Sequence, residues 1–358
     1  MKKLSKLSFK KKQPEAPVGR ITTDTLAEHR QQVLAGGRKF KYPVQYARHK
    51  LVVNAIIISI AALLVMGGTG YWLLYKAQNT SDFMYRVTKV IPAPVASIDG
   101  QAVRYSEYLM KFRSNLHYLV EKEQVDISTE DGKRQVEFIK DQAMKDSIAD
   151  AYADKIADEK NLIVTNAELE TYLKQQRQSS DGDVSESTYN AVILDYYGWS
   201  PDEYQQAMKT KLLRQKVAYE VDDQAKAVSD TVSKLVTAAN PDLNAITASI
   251  NTENEKMAVF WPSALVPIAN QDGGLASTAA KLEVNQVSKA IKTTNGDGYY
   301  FVKLLEKTDT QVRYEYIQVP LTVFEKMLEK AKTDGKVKEY IATPRVDEQA
   351  NASATKTE

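Results

Sequence analysis

The feature that most constrains this chain is a long segment without a formal charge, which runs from Leu51 to Tyr75. An α-helix of about 20 residues crosses the roughly 30 Å hydrocarbon core of a bilayer, and this segment is longer. Tyr71 and Trp72 stand near its end, where amphipathic rings favour the membrane interface. Few soluble helices lack a charge for this long, and a cleaved signal peptide would be shorter and end in small residues. We therefore predict an uncleaved single-pass anchor.

Charge is distributed unevenly on the two sides of this segment. Residues 1–50 contain 13 Lys or Arg and 3 Asp or Glu, a net charge of +10, so the rest of the chain carries −8 of the formal total of +2. The positive-inside rule places the basic head in the cytoplasm and the body outside the cell membrane. The head is predicted to be largely disordered and to contact the lipid bilayer, and it lacks the interleaved aromatic residues that would indicate nucleic-acid binding.

The composition excludes several kinds of catalytic and metal site. The chain has no cysteine and 3 histidines. This excludes a disulfide scaffold and a cysteine nucleophile, and leaves little material for a histidine metal site or a Ser-His-Asp triad. The sequence contains no phosphate-binding glycine loop, HExxH motif or EF-hand loop. We therefore expect no cofactor, no metal, no nucleotide and no nucleic acid.

The body begins with a hairpin signal and continues as helices. Two short β-prone runs flank Asp99-Gly100, a pair typical of a two-residue hairpin turn. Apolar residues at helical spacing follow, notably from about 134 to 160. Thr165 and Glu168 form a capping box, and Ser200-Pro201 places an N-cap before a proline at the first helical position. Two further helix starts are predicted there.

The order of these pieces resembles the N-terminal chaperone module of the SurA/PrsA/PpiD foldases over about residues 95–220. The resemblance rests on the V-A-x-I-D-G hairpin, on the first helix and on two later segments, AYADKIADEKNLIVTNAELE and YYGWSPDEYQQAMKTKLLRQKV. It implies helices that cradle unfolded secreted or membrane polypeptides without ATP. The same caps and apolar stripes also fit a generic helical domain.

A second resemblance covers the segment GGLASTAAKLEVNQVSKAIKTTNGDGYYFVKLLEK, which is similar to the C-terminal half of a parvulin-type peptidyl-prolyl isomerase. The paired histidines of that family are absent, and Tyr300 stands where its G-Y-H motif has histidine. The family's first strand is also missing before Ala225. The run 312–319 can supply it as a circular permutation, with Tyr316 in place of a histidine, or it can be an extra strand that leads into the last helix.

The resemblance implies a proline pocket, for which Leu265, Phe260, Trp261 and Tyr299 are the candidate client-binding residues. Ala269 stands where a phenylalanine wall is expected. The candidate catalytic residues are Tyr300 and Tyr316, since tyrosine hydroxyls can replace a histidine hydrogen-bond network. Losing one wall weakens the pocket, so weak or absent isomerase activity is expected.

The sequence predicts a mostly helical α+β protein with one transmembrane helix, an α-helical module with a small hairpin, and a parvulin-like α/β domain. The expected divisions are a basic head, an anchor, a linker, a chaperone module, a degenerate parvulin-like domain and a disordered tail: 1–50, 51–75, 76–94, 95–222, 223–341 and 342–358.

The expected function is that of a membrane-anchored extracytoplasmic chaperone or foldase, with an apolar cradle between the two modules. Its partners would be unfolded or nascent polypeptides and the lipid bilayer. An active parvulin-type isomerase and a non-catalytic envelope scaffold remain as alternatives.

Overall fold

The chain folds as a mostly helical α+β protein with small sheets. The computed structural model describes residues 22–41, 43–179, 182–238, 240–253, 256–293 and 295–343. Of the head 1–50 and the tail 342–358, which we expected to be disordered, residues 1–21 and 344–358 lie outside the described residues. Two compact units meet in the sequence at Trp72 and Leu73.

The first unit consists of α1 (Thr23–Lys41) and most of α2 (Pro43–Tyr75). The described part of the basic head is therefore helical. Within α2, the stretch His49–Tyr75 has a mean hydropathy of 2.5, and its most apolar part is not buried within the protein. This helix is long and apolar enough to cross a membrane.

The second unit contains a helical module followed by a sheet module. The helical module is formed by α3 (Asp82–Val90), β1 (Pro94–Ile98), β2 (Gln101–Arg104), α4 (Tyr105–His117), a π-helical turn (Tyr118–Lys122), α5 (Glu130–Lys160), α6 (Asn166–Gln176), β3 (Gln178–Ser179), β4 (Gly182–Asp183), α7 (Glu186–Tyr197) and α8 (Pro201–Val221). The sheet module is formed by α9 (Asp223–Leu235), α10 (Leu243–Glu253), β5 (Val259–Pro262), β6 (Val266–Pro267), α11 (Leu275–Ala279), β7 (Ile291–Lys292), β8 (Gly298–Lys307) and β9 (Gln311–Pro320). The chain then continues through α12 (Val323–Thr333) and β10 (Val337–Glu339).

Local sequence signals explain how several of these elements begin. The β1–β2 hairpin turns at Asp99 and Gly100, whose φ angles of 47° and 87° lie in the left-handed region that this pair tolerates. Thr165 and Ser200 each form a complete capping box, with Glu168 and Glu203 respectively. The predicted hairpin and both predicted helix starts are confirmed.

The core of the helical module is completed by the last part of the chain. Buried aromatic side chains of α4, such as Tyr105 and Phe112, pack against the small residues of α5. Phe324 of α12 and Ile341 belong to the same cluster. β10 pairs with β1 in a three-stranded sheet of order β10-β1-β2. The predicted domain 223–341 is therefore divided, because its last helix and strand pack with the helical module.

The sheet module is built on an antiparallel sheet of order β5-β9-β8-β7, with β6 also pairing with β9. β9 is thus an interior strand, paired with β8 along one side and with β5 and β6 along the other. One face of the sheet packs against α9 and α10, and the other against α11. The run 312–319 is consequently part of the sheet's centre.

The chain passes twice between the two modules, at residues 221–223 and 320–323, and Asp222 contacts both passages. Its side chain is fully buried. Oδ1 accepts a hydrogen bond from the backbone N–H of Ala225 at 2.8 Å, at the start of α9. Oδ2 accepts from the N–H groups of Thr322 at 2.8 Å and Val323 at 3.1 Å, at the start of α12. One carboxylate therefore caps two helices that are far apart in sequence.

Candidate functional site

Three tyrosines lie together on the α11 side of the sheet. Residues opposite each other on antiparallel strands share a face, and the register pairs Val302 with Tyr316 and Leu304 with Tyr314. Tyr300 lies on this face of β8, with its ring centroid 5.6 Å from that of Tyr316. The rings of Tyr314 and Tyr316 are 6.1 Å apart. We call Tyr300, Tyr314, Tyr316 and their neighbour Trp261 the tyrosine face.

Two aspartates hold two of these hydroxyl groups in place. Tyr300 Oη donates to Asp297 Oδ2 at 2.8 Å, and Tyr314 Oη donates to Asp272 Oδ2 at 2.7 Å. Asp297 also accepts from Thr293 Oγ1 at 3.1 Å. Asp272 in turn accepts hydrogen bonds from the first turn of α11. The network ties the sheet to the loops on either side of it.

Burial and negative charge keep the three hydroxyls protonated. Burial, and then the hydrogen bond to Asp297, raises the pKa of Tyr300 far above its usual value of 10.0. Burial, followed by the bond to Asp272, raises the pKa of Tyr314 in the same way. The pKa of Tyr316 is raised by burial and then by the charges of Asp297 and Asp272. All three groups are therefore hydrogen-bond donors at neutral pH.

Tyr316 is the tyrosine of this face whose hydroxyl is not engaged by an aspartate. In the described part of the chain its hydroxyl has no hydrogen-bond partner, and its side chain is half-buried. Trp261 pairs with Tyr316 across β5 and β9 and is 55% exposed. Leu265, just before β6, is 41% exposed. A free donor thus lies beside an exposed aromatic ring, and a second exposed apolar side chain stands just before the next short strand.

The six predicted site residues do not form one site. Phe260 pairs with Ile317 and Tyr299 pairs with Val319, so both lie on the opposite face of the sheet, in the core below α9 and α10. Tyr299 is 8% exposed, and its ring packs edge-on against that of Tyr219 at 5.1 Å. Successive residues of a strand point to opposite faces, which separates Tyr299 from Tyr300 and Phe260 from Trp261.

Sequence reasoning missed Tyr314, Asp272 and Asp297 as members of this site. The alternation Tyr314-x-Tyr316 within a β-prone run placed both tyrosines on one face, so Tyr314 could have been found. The two aspartates carry no such signal. Their positions depend on how the loops before α11 and β8 fold back onto the sheet.

A cleft of about 1110 Å³ lies between the helical module and the sheet module. Its walls include Gln175 and Lys211 on one side and the loop 267–274 on the other. Side-chain amides, hydroxyls and lysines predominate, and Ile268 and Ile291 are among the few large apolar side chains that line it. The expected concavity is present, but the expectation of apolar walls is wrong, because many of the large apolar side chains of both modules are buried in their own cores.

The helical module exposes its apolar side chains elsewhere, on α7. Val192, Leu194, Tyr196 and Tyr197 are between 42% and 57% exposed, and Tyr118 beside them is 40% exposed. The rings of Tyr118 and Tyr196 lie 6.4 Å apart. We call these five residues the α7 patch. Exposed apolar and aromatic side chains gathered on one helix are typical of a protein interaction site.

Residues 44–218 match the family model described as the SurA-like N-terminal domain. This match supports the SurA/PrsA/PpiD family of foldases, and its range begins before the candidate membrane helix, whereas the predicted chaperone module began at residue 95. The matched range ends before the sheet module, so the match does not support the parvulin resemblance. No curated protein matches the chain.

Proposed function

We propose that this protein is a membrane-anchored extracytoplasmic chaperone that holds unfolded secreted or membrane polypeptides without ATP. The observation that carries the proposal is the match of residues 44–218 to the SurA-like N-terminal domain. The apolar length of α2, together with the basic head, supports insertion with the N-terminus in the cytoplasm.

Two surfaces of the second unit have the chemistry that an unfolded chain requires. The α7 patch offers apolar and aromatic contact without a fixed shape, which suits varied apolar side chains. The cleft offers side-chain amides such as those of Gln175 and Asn270, which can pair with the backbone groups of an extended polypeptide. A client held by both surfaces would have apolar segments covered and backbone groups satisfied.

Anchoring would raise the local concentration of this body next to polypeptides that emerge from the membrane. A tethered binder meets nearby clients at an effective concentration set by its tether, so weak contacts become sufficient. Neither binding nor release would need a nucleotide, because many weak contacts exchange rapidly.

The first test is suppression of aggregation by the full chain in nanodiscs. The unchanged protein is expected to suppress aggregation of a chemically denatured client at several-fold molar excess. The double variant V192S/L194S is expected to bind the client about tenfold more weakly, equivalent to about 1.4 kcal/mol, because two apolar contacts are lost. The matched control I127S/V284S alters side chains of similar exposure, 43% and 56%, outside the patch.

No suppression by the unchanged protein would reject the chaperone proposal, and equal loss in both double variants would reject the patch as the binding surface. Crosslinking in cells from position 196 separates a chaperone from a scaffold. Many crosslinked partners support the chaperone, whereas one stoichiometric partner supports a non-catalytic envelope scaffold.

A weak prolyl isomerase activity is the second candidate, and the open hydroxyl of Tyr316 next to Trp261 favours it. Rotation of an X–Pro bond has a barrier of about 20 kcal/mol and neither makes nor breaks a bond. A catalyst needs an apolar surface for the ring and a donor that favours the twisted amide over the planar one. Tyr316 can donate and Leu265 can contact the ring, while Ala269 leaves one side without a wall.

This candidate predicts a small acceleration of cis/trans exchange in a short X–Pro peptide, measured without a coupling protease. Tyr316→Phe is expected to lower the excess rate about tenfold, since one hydrogen bond to the twisted amide is lost. Tyr299→Phe is the matched control, because that hydroxyl lies on the opposite face. A rate equal to that of buffer alone, or equal rates in both variants, would remove Tyr316 from a catalytic role.

A further inference from the structure

Helix α3 follows directly after the candidate membrane helix, and its inner face fixes it to the body. Met84, Tyr85 and Thr88 are 2%, 5% and 2% exposed. Tyr85 Oη donates to Glu203 Oε1 at 2.7 Å, and the Ser81 side chain caps the first turn. Packing therefore fixes the orientation of α3 on the body, and this orientation determines which side chains α3 turns outward.

The outer face of α3 is apolar. Phe83 and Val90 are 69% and 82% exposed, and Ile91 just after the helix is 62% exposed. Phe83 and Val90 are seven residues apart, so they lie two turns apart on the same side, with the partly exposed Val87 between them. A short surface helix normally shows its polar side to water, and this one also exposes two large apolar side chains.

Two cations lie along one edge of this apolar stripe. Arg86 is exposed and has no ion-pair partner among the described residues. Lys89 is half exposed, and its Nζ lies 3.9 Å from Glu203 Oε1 and 5.4 Å from the centroid of the Tyr85 ring. An apolar face bordered by Lys or Arg is the composition of helices that lie in the interface of anionic bilayers.

A short connection joins the end of α2 to the helix that carries this surface. Leu74 is 7% exposed within the core of the second unit. Tyr105 Oη donates to the carbonyl oxygen of Leu74 at 2.9 Å, and Tyr75 Oη donates to that of Pro94 at 2.7 Å. Residues 76–81 then lead to α3, and a connection of this length spans at most roughly 20 Å. The candidate membrane helix and α3 are thus separated by one short connection in the chain.

We propose that α3 lies in the outer interface of the bilayer, with Phe83, Val90 and Ile91 among the lipids and with Arg86 and Lys89 at anionic headgroups. The body would then rest on the membrane in one orientation instead of swinging on its anchor. This proposal relies on the membrane anchoring included in the proposed function, and the experiment separates the two.

Because the sequence has no cysteine, a single introduced cysteine in the full chain can be spin-labelled selectively. Four single variants, F83C, V90C, L194C and L63C, are labelled with a nitroxide in nanodiscs that contain anionic lipid. Labels at 83 and 90 are expected to collide more with oxygen, which concentrates in lipid, than with a water-soluble nickel chelate. The label at 194, a site 57% exposed on α7, is expected to show the opposite order. Zwitterionic lipid should lower the oxygen-to-nickel ratio about twofold at 83 and leave it unchanged at 63.

The label at 63, within α2, reports on the anchor itself. If 63 is in lipid while 83 and 90 behave like 194, the interfacial placement of α3 is overturned and the anchor remains. If 63 is also reached by the nickel chelate, the membrane anchoring of the proposed function fails. Shielding of 83 and 90 from both reagents would show a protein contact there and would overturn the interfacial placement as well.

Discussion

Replacing Asp222 with alanine is expected to lower the free energy of unfolding by about 3–5 kcal/mol. The variant removes one carboxylate that accepts three backbone hydrogen bonds at distances from 2.8 to 3.1 Å. An N-cap contributes about 1 kcal/mol, and each buried N–H left without a partner costs about 1–3 kcal/mol. The substitution uncaps two helices at once and removes the hydrogen bonds at both passages between the modules. The expected effect is therefore large for a single substitution.

Urea unfolding of the full chain in detergent measures this difference. Asp223→Ala is the matched control, because it removes the neighbouring acid from an exposed position. Asp222→Asn is expected to keep part of the stability, since one acceptor oxygen remains. A loss in Asp222→Ala that equals the loss in Asp223→Ala would contradict the assigned role of this carboxylate.

Ending the chain after Leu321 is expected to unfold the helical module. This truncation removes the buried side chains of Phe324, Leu328, Ala331 and Ile341, together with the strand that pairs with β1. Burial of a large apolar side chain contributes about 1.5–3 kcal/mol, so the total approaches the 5–15 kcal/mol that stabilises a typical domain. The loss is expected in α4 and α5, although the deleted residues follow the sheet module in the sequence.

Amide hydrogen exchange of α5 measures this outcome. Its protection is expected to disappear in the chain that ends at 321 and to persist in a chain that ends at Thr343. Phe324→Ala is a milder variant that lowers stability by about 3–5 kcal/mol, because its ring packs against Tyr152 at a centroid distance of 6.1 Å. Equal protection of α5 in both truncated chains would assign α12 and β10 to the sheet module after all.

Signals confined to a few neighbouring residues predicted their structures well. The Asp99-Gly100 turn, the capping box at Thr165 and the apolar run within α2 each depend on contacts inside one turn or one helix. The resemblance of residues 95–220 to a chaperone module was also sound, since an ordered set of such signals is specific.

Contacts between distant parts of the chain could not be predicted from the sequence. The pairing of Ala96 with Glu339 joins strands from the two ends of the body, and neither strand contains a residue that specifies its partner. For the same reason, the sequence predicted one site from residues that lie on two faces of the sheet, such as Tyr299 and Tyr300. The alternation of side chains along the strands can be predicted from the sequence, but the burial of each face depends on which helices cover it.

The return of β10 to β1 has a consequence for how this protein is made. Gln78 Nε2 also donates to the carbonyl oxygen of Ala342 at 3.2 Å, so residues just after the candidate anchor are joined to the end of the described chain. Synthesis proceeds from the N-terminus, and the helical module cannot close before α12 and β10 have been made. Until those two elements have been made, the nascent protein itself exposes the kind of unfinished surface that it would protect in others.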